Sequence, residues 1–215
     1  MIGTARTAIC FGIALTLGAC SSDPDESSAC RLPADATVLA IGDSITRGYG
    51  AVGHGYAEQL QALFSASPTR SGVRVLNQGI DGERSAGLLA RLDKSLGADA
   101  PAVVLITTGG NDLLRRVDAT ETRTNLTAIV EQVRAAGAYP VIFAVPKPSV
   151  AAAAGFASDH PMFAELSEAT GTEIIPDVVA DVLSKPELRS DEIHPNAGGY
   201  ALMAQAAFDA LADCE

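Results

Sequence analysis

Apolar positions along the chain follow two alternating rhythms. Short runs of aliphatic and β-branched residues at 38–41, 73–77, 103–107, 141–145 and 173–175 read as strands. Between them, apolar residues recur three and four apart. Residues 56–65 (Tyr56, Leu60, Leu63, Phe64), 85–96, 121–136 (Leu126, Ile129, Val130, Val133), 162–170 and 198–212 read as helices. Gly137 and Gly171 stop two of them. Strands without polar alternation are buried on both faces, and a helix after each strand calls for parallel pairing through crossovers. The pattern predicts an α/β fold: a three-layer α/β/α sandwich on a doubly wound, parallel five-stranded sheet, in a single domain. No internal repeat or linker divides it. In such sheets a ligand binds beyond the carboxyl ends of the strands.

Composition supports one packed domain. The chain has 215 residues, 47% hydrophobic and 19% charged, enough apolar surface for a substantial core. A net charge of −11 argues against a nucleic-acid partner and against charge-driven binding to anionic membranes. The first 19 residues form a targeting segment. Arg6 precedes an apolar stretch at 8–17, too short to span a bilayer. It ends in Leu17-Gly18-Ala19-Cys20, which resembles the lipobox of bacterial lipoproteins. That resemblance implies cleavage before Cys20, acylation of Cys20, and retention at the outer membrane, since Ser21 rather than Asp follows. Membrane contact would then run through the lipid anchor only. Residues 20–34 are the lipidated Cys and a polar, flexible tether; residues 35–215 are the folded domain, expected to be a monomer. With Cys10 removed and Cys20 acylated, Cys30 and Cys214 remain, near the two ends of the domain. In an exported protein they are expected to form a disulfide.

Four short blocks carry the candidate chemistry: Gly42-Asp43-Ser44, Ile80-Asp81-Gly82-Glu83, Gly109-Gly110-Asn111-Asp112 and Asp191-Glu192-Ile193-His194-Pro195. Ser44, Gly82 and Asn111 follow the first three strands. Ser44 is a candidate nucleophile, His194 its general base and Asp191 the carboxylate orienting the imidazole. The Ser44 and Gly82 amides and the Asn111 side chain are candidate oxyanion donors, with Gly79 as the other choice for the second amide. Taken singly, Ser44 reads as a helix cap and Gly82 as a turn glycine. Thr46 stands where a Gly-x-Ser-x-Gly elbow needs its second glycine, which argues against that fold. Asp159-His160-Pro161 is a rival acid–base pair, and His54 lies in a Gly-rich loop near Ser44. Asp43 and Asp112 are assigned no proton-transfer role. Residues 48–53 fit Gly-x-Gly-x-x-Gly but do not join a strand directly to a helix, so they read as a loop. No Cys/His/Asp cluster has metal-ligand spacing.

The four blocks, in this order, resemble those of the SGNH hydrolases, or GDSL esterase/lipase family, and within it the thioesterase I, lysophospholipase L1 and arylesterase group. The resemblance spans residues 37–211. It implies a flavodoxin-like strand order 2-1-3-4-5 and hydrolysis of carboxylic esters or thioesters through an acyl-enzyme on Ser44. Asp191 and His194 complete the catalytic set, and no metal or cofactor is needed. The implied substrate is a small acyl ester or a lipid. Two alternatives stand beside this: a carbohydrate O-acetylesterase of the same family, and a non-catalytic surface-binding lipoprotein. The segment 113–120 is expected to border the acyl pocket, with Arg115 and Arg116 facing either an anionic substrate or solvent.

Overall fold

The computed structural model describes Met1, residues 29–148 and residues 155–214. The targeting segment, the Cys20 acylation site and most of the tether lie outside these residues. Strands β1 (Thr37–Gly42), β2 (Arg74–Gly79), β3 (Val103–Thr107), β4 (Tyr139–Phe143) and β5 (Glu173–Ile175) form one parallel sheet, in the order β2-β1-β3-β4-β5. Eight helices occur among the described residues. They are α1 (Ser44–Arg47), α2 (Tyr56–Ala66), α3 (Ser85–Asp99), α4 (Gly110–Leu114), α5 (Ala119–Ala135), α6 (Met162–Thr170), α7 (Val178–Ser184) and α8 (Ala197–Ala210).

Alternation along the strands builds the three layers. Val38, Ala40, Val103, Leu105, Val141 and Phe143 pack with Leu60 and Phe64 of α2 and Met203 of α8. Their neighbours Leu39, Ile41, Val104, Ile106 and Ile142 pack on the other side with Leu92 of α3, Ile129 of α5 and Phe163 of α6. Both sets are fully buried, so the central strands read as nearly unbroken apolar runs.

Several elements differ from the sequence reading, among them α4, five residues long, which the apolar pattern does not mark. Strand β4 begins two residues ahead of its apolar run. Pro140 has no N–H to give, but pairing with β5 begins only at Val141↔Glu173, so its place in β4 lies outside that ladder. Helix α7 has no counterpart in the apolar pattern. Its seven residues are too few to show a helical period, and three of them are valines.

The disulfide joins Cys30 to Cys214 across 184 residues. The Arg70 guanidinium donates to the carbonyls of Leu211, Ala212 and Cys214, tying the same terminus to the loop after α2. Closing so long a loop restricts the unfolded chain. Reduction should therefore cost about 2–5 kcal/mol in urea unfolding. Equal midpoints for oxidised and reduced protein would contradict that.

Candidate active site

Strand β1 ends at Gly42, and the chain turns at once into α1. Asp43 is the N-cap: its Oδ1 accepts the Ile45 N–H at 3.0 Å. The capping role that a serine here would ordinarily fill is thus taken, and Ser44 opens the helix with its hydroxyl free for other partners. Asp43 Oδ2 accepts from the Asn111 side-chain amide at 3.4 Å. Burial pushes the Asp43 carboxyl up to about 7, against the lowering effect of the Ile45 and Asn111 hydrogen bonds; the charges of Glu83 and Asp112 add to the rise.

The loop before α8 supplies the second part. Asp191 Oδ1 accepts the backbone N–H of Ile193 at 2.8 Å and of His194 at 2.9 Å, so the carboxylate folds the turn that carries the imidazole. Asp191 Oδ2 lies 2.8 Å from His194 Nδ1, and His194 Nε2 lies 3.0 Å from Ser44 Oγ. Carboxylate, imidazole and hydroxyl form one continuous chain, although Ser44 and His194 are 150 residues apart in sequence. Burial raises the Asp191 pKa, but the Ile193 amide and the His194 ring and amide outweigh it and hold the carboxyl below its ordinary range. Tyr49 packs on the imidazole with ring centroids 4.4 Å apart, and the Tyr200 hydroxyl donates to the Tyr49 carbonyl at 3.0 Å. The sequence does not single out Tyr49, because one aromatic in a Gly-rich loop carries no signal of its own.

The two glycine candidates have different surroundings. The Gly79 N–H donates to Asn77 Oδ1 at 3.0 Å, so that amide is occupied. Gly79 serves instead as a contact: a Cβ there would stand 2.1 Å from the Arg47 nitrogen, so the end of β2 lies directly against α1. The chain then turns through 80–83, closed by Glu83 N–H to the Ile80 carbonyl at 3.2 Å, with Gly82 at φ +70° in the third position. An Arg47–Asp81 ion pair joins this turn to α1. Asn111 is the second residue of α4, directly beyond β3. Asp112, fully buried, accepts from the amide and hydroxyl of Ser85 and so ties α4 to α3.

A cavity of about 260 Å3 opens at the triad, lined by Ser44, Asn111 and His194. Much of the rest of its wall is apolar, including Ile45, Leu114, Val145, Leu183 and Ile193. Neither Gly82 nor His54, which is exposed, is among its lining residues. The rival pair makes no second dyad: His160 Nδ1 accepts the Met162 N–H, and Asp159 Oδ2 accepts the Asp177 N–H. Among the described residues no group of three side chains is placed to hold a metal, and no helix is long and apolar enough to cross a membrane.

A hydroxyl bonded to an imidazole whose other nitrogen meets a carboxylate is equipped for nucleophilic attack on a carbonyl. Comparison with known proteins points the same way. The profile of the GDSL-like lipase/acylhydrolase family matches residues 40–202. The thioesterase 1/protease 1/lysophospholipase L1 of Escherichia coli (strain K12) is 29% identical over 175 residues, 81% of this chain and 82% of that protein. Esterase TesA of Pseudomonas aeruginosa is 36% identical over 114 residues, 52% of this chain and 55% of that one. The crystal structure of the psychrotrophic esterase EstA from Pseudoalteromonas sp., inhibited by monoethylphosphonate, superposes with a TM-score of 0.71. The two are 29% identical, and the match covers 83% of this chain and 97% of EstA.

The Asp43 proton has a thermodynamic consequence. The folded protein keeps it up to about pH 7, whereas an ordinary carboxyl releases it near 3.8. The contribution to stability is complete below about pH 4 and is lost as pH rises through 7. Asp43→Asn keeps a capping oxygen and cannot ionise, so its unfolding free energy should lose that part of the slope between pH 4 and 7. Parallel pH profiles for the two proteins would contradict this.

Proposed function

The chain belongs to the GDSL-like lipase/acylhydrolase family and is a carboxylic ester hydrolase, and we propose that Ser44 carries the acyl group in that reaction. The observation that carries the assignment is the 3.0 Å contact between His194 Nε2 and Ser44 Oγ, backed by Asp191 on Nδ1. His194 takes the Ser44 proton as Oγ bonds to the substrate carbonyl carbon. The carbonyl oxygen becomes an oxyanion. Collapse breaks the bond to the leaving oxygen or sulfur, which receives the proton from His194. Water then attacks the acyl-Ser44 ester, again losing its proton to Nε2, and the acid departs as Ser44 recovers its hydrogen.

The Ser44 and Gly82 amides and the Asn111 Nδ2–H are the proposed oxyanion donors. The engaged Gly79 amide favours Gly82, and Asn111 lines the same cavity as Ser44. The apolar wall of Ile45, Leu114, Val145 and Leu183 favours a substrate with an acyl chain over one with acetate alone. A lipid-derived ester or thioester fits this wall and the E. coli relative's thioesterase and lysophospholipase names. Acylation of Cys20 would hold the enzyme beside such substrates; this rests on the Leu17–Cys20 sequence alone.

Two variants test the mechanism with p-nitrophenyl butyrate. Ser44→Ala should lower kcat by about 10⁴-fold or more while leaving the unfolding midpoint close to wild type. Asn111→Ala should lower kcat by about 10²–10³-fold with little change in KM, the pattern of a donor used only in the transition state. Wild-type turnover in the first would contradict a nucleophilic Ser44, and a pure KM effect in the second would contradict an oxyanion donor at Asn111.

A further inference from the structure

A second hollow, of about 600 Å3, adjoins the catalytic cavity and shares Leu114, Lys147 and Pro148 with it. Leu113, Arg116 and His160 complete its wall among the described residues. Half of that wall is basic and none of it acidic, in a chain with 26 acidic residues against 15 Lys and Arg.

Three cations elsewhere in the chain are paired. Arg47 pairs with Asp81, Arg91 with Glu83 and Arg123 with Glu165. Among the described residues neither Arg116 nor Lys147 holds an ion pair. The segment 149–154 that follows contains no acid. Arg116 also sits in an unusual place. It follows α4 with φ +59°, its N–H bonded to the Leu113 carbonyl and the Val117 N–H to that of Asp112. Glycine or asparagine usually ends a helix in this left-handed conformation, so an arginine here costs some backbone strain.

His160 adds a donor. Its Nδ1 accepts from the Met162 amide, so the neutral ring carries its proton on Nε2. Burial lowers its pKa, against the pull of Glu165 and with the push of Lys147. Glu165, the carboxylate that acts on it, is already bonded to Arg123.

From this juxtaposition we infer that the second hollow is a subsite for a phosphate carried on the alcohol or thiol part of the substrate. Two cations and an N–H donor match the charge and the acceptor oxygens of a phosphate. The shared wall at Leu114 and Lys147 makes the two hollows contiguous, so one molecule can place its carbonyl at Ser44 and its phosphate beside Arg116. The inference rests on the proposed ester hydrolysis at Ser44. The phosphate has two chemical sources: the headgroup of a lysophospholipid, or the nucleotide of a coenzyme A thioester.

Matched substrate pairs separate them: 1-octanoylglycerol 3-phosphate against 1-octanoylglycerol, and octanoyl-coenzyme A against octanoyl-pantetheine. The wild type should prefer the phosphate-bearing member of at least one pair by kcat/KM, and that pair names the source. Arg116→Asn suits the left-handed backbone, so folding is spared. It should shrink the preference by about tenfold while leaving the neutral substrate unchanged. Arg116→Lys should keep most of it. A wild type without preference in both pairs, or a preference that survives Arg116→Asn, overturns the subsite. Neither result touches the Ser44 mechanism, which p-nitrophenyl butyrate hydrolysis by Ser44→Ala tests separately.

Discussion

The end of β1 comes so close to β3 that no side chain fits at residue 42. A Cβ on Gly42 would stand 2.0 Å from the Thr107 carbonyl oxygen, and its φ of +151° is one that residues with side chains rarely adopt. That same carbonyl accepts the Asp43 N–H at 3.1 Å, and the Gly42 carbonyl accepts the Ile80 N–H at 2.9 Å. The tight junction ends the sheet and starts α1 within one residue. It therefore fixes where Asp43 caps, where Ser44 emerges, and how near the β2 and β3 loops stand. The other parts of the site are built against this point.

The imidazole arrives by a separate route and needs its own scaffold. Asp191 both shapes the turn through two backbone N–H groups and meets His194 Nδ1. The Ser190 hydroxyl donates to the His194 carbonyl, and a Cβ on Gly50 would collide with that hydroxyl, so the Gly-rich loop after α1 packs directly on the histidine loop. Tyr49 from the same loop covers the imidazole and is held through its carbonyl by Tyr200 of α8. The ring is thus oriented on both sides before any substrate arrives, which electrostatic catalysis requires.

Much of this was legible in the sequence, for physical reasons. Strands buried on both faces leave no polar alternation, so β1 and β3 stood out as unbroken apolar runs, and the parallel layout followed. The Asp191-x-x-His194 spacing suits a turn that brings the two side chains together, and the structure has one. Other features depend on contacts that no local pattern encodes. Helix α7 is too short to show a period. The Asn77 side chain that holds the Gly79 amide is one such contact. The cavity wall collects Ile45, Leu114, Val145 and Leu183 from four separate segments, and the basic hollow brings His160 beside Arg116 and Lys147. A histidine that reads as a rival general base proves to face a different space.

In the proposed mechanism one serine, backed by one imidazole and faced by hydrogen-bond donors, does the chemistry. The most direct measurement is a crystal structure of the protein after reaction with a fluorophosphonate, with intact mass recorded on the same sample. The expected result is a single adduct on Ser44 Oγ, with its phosphoryl oxygen within hydrogen-bonding distance of the Gly82 amide and Asn111 Nδ2 and with Nε2 of His194 beside the remaining substituent. No adduct, an adduct on another residue, or a phosphoryl oxygen turned away from both donors would contradict it.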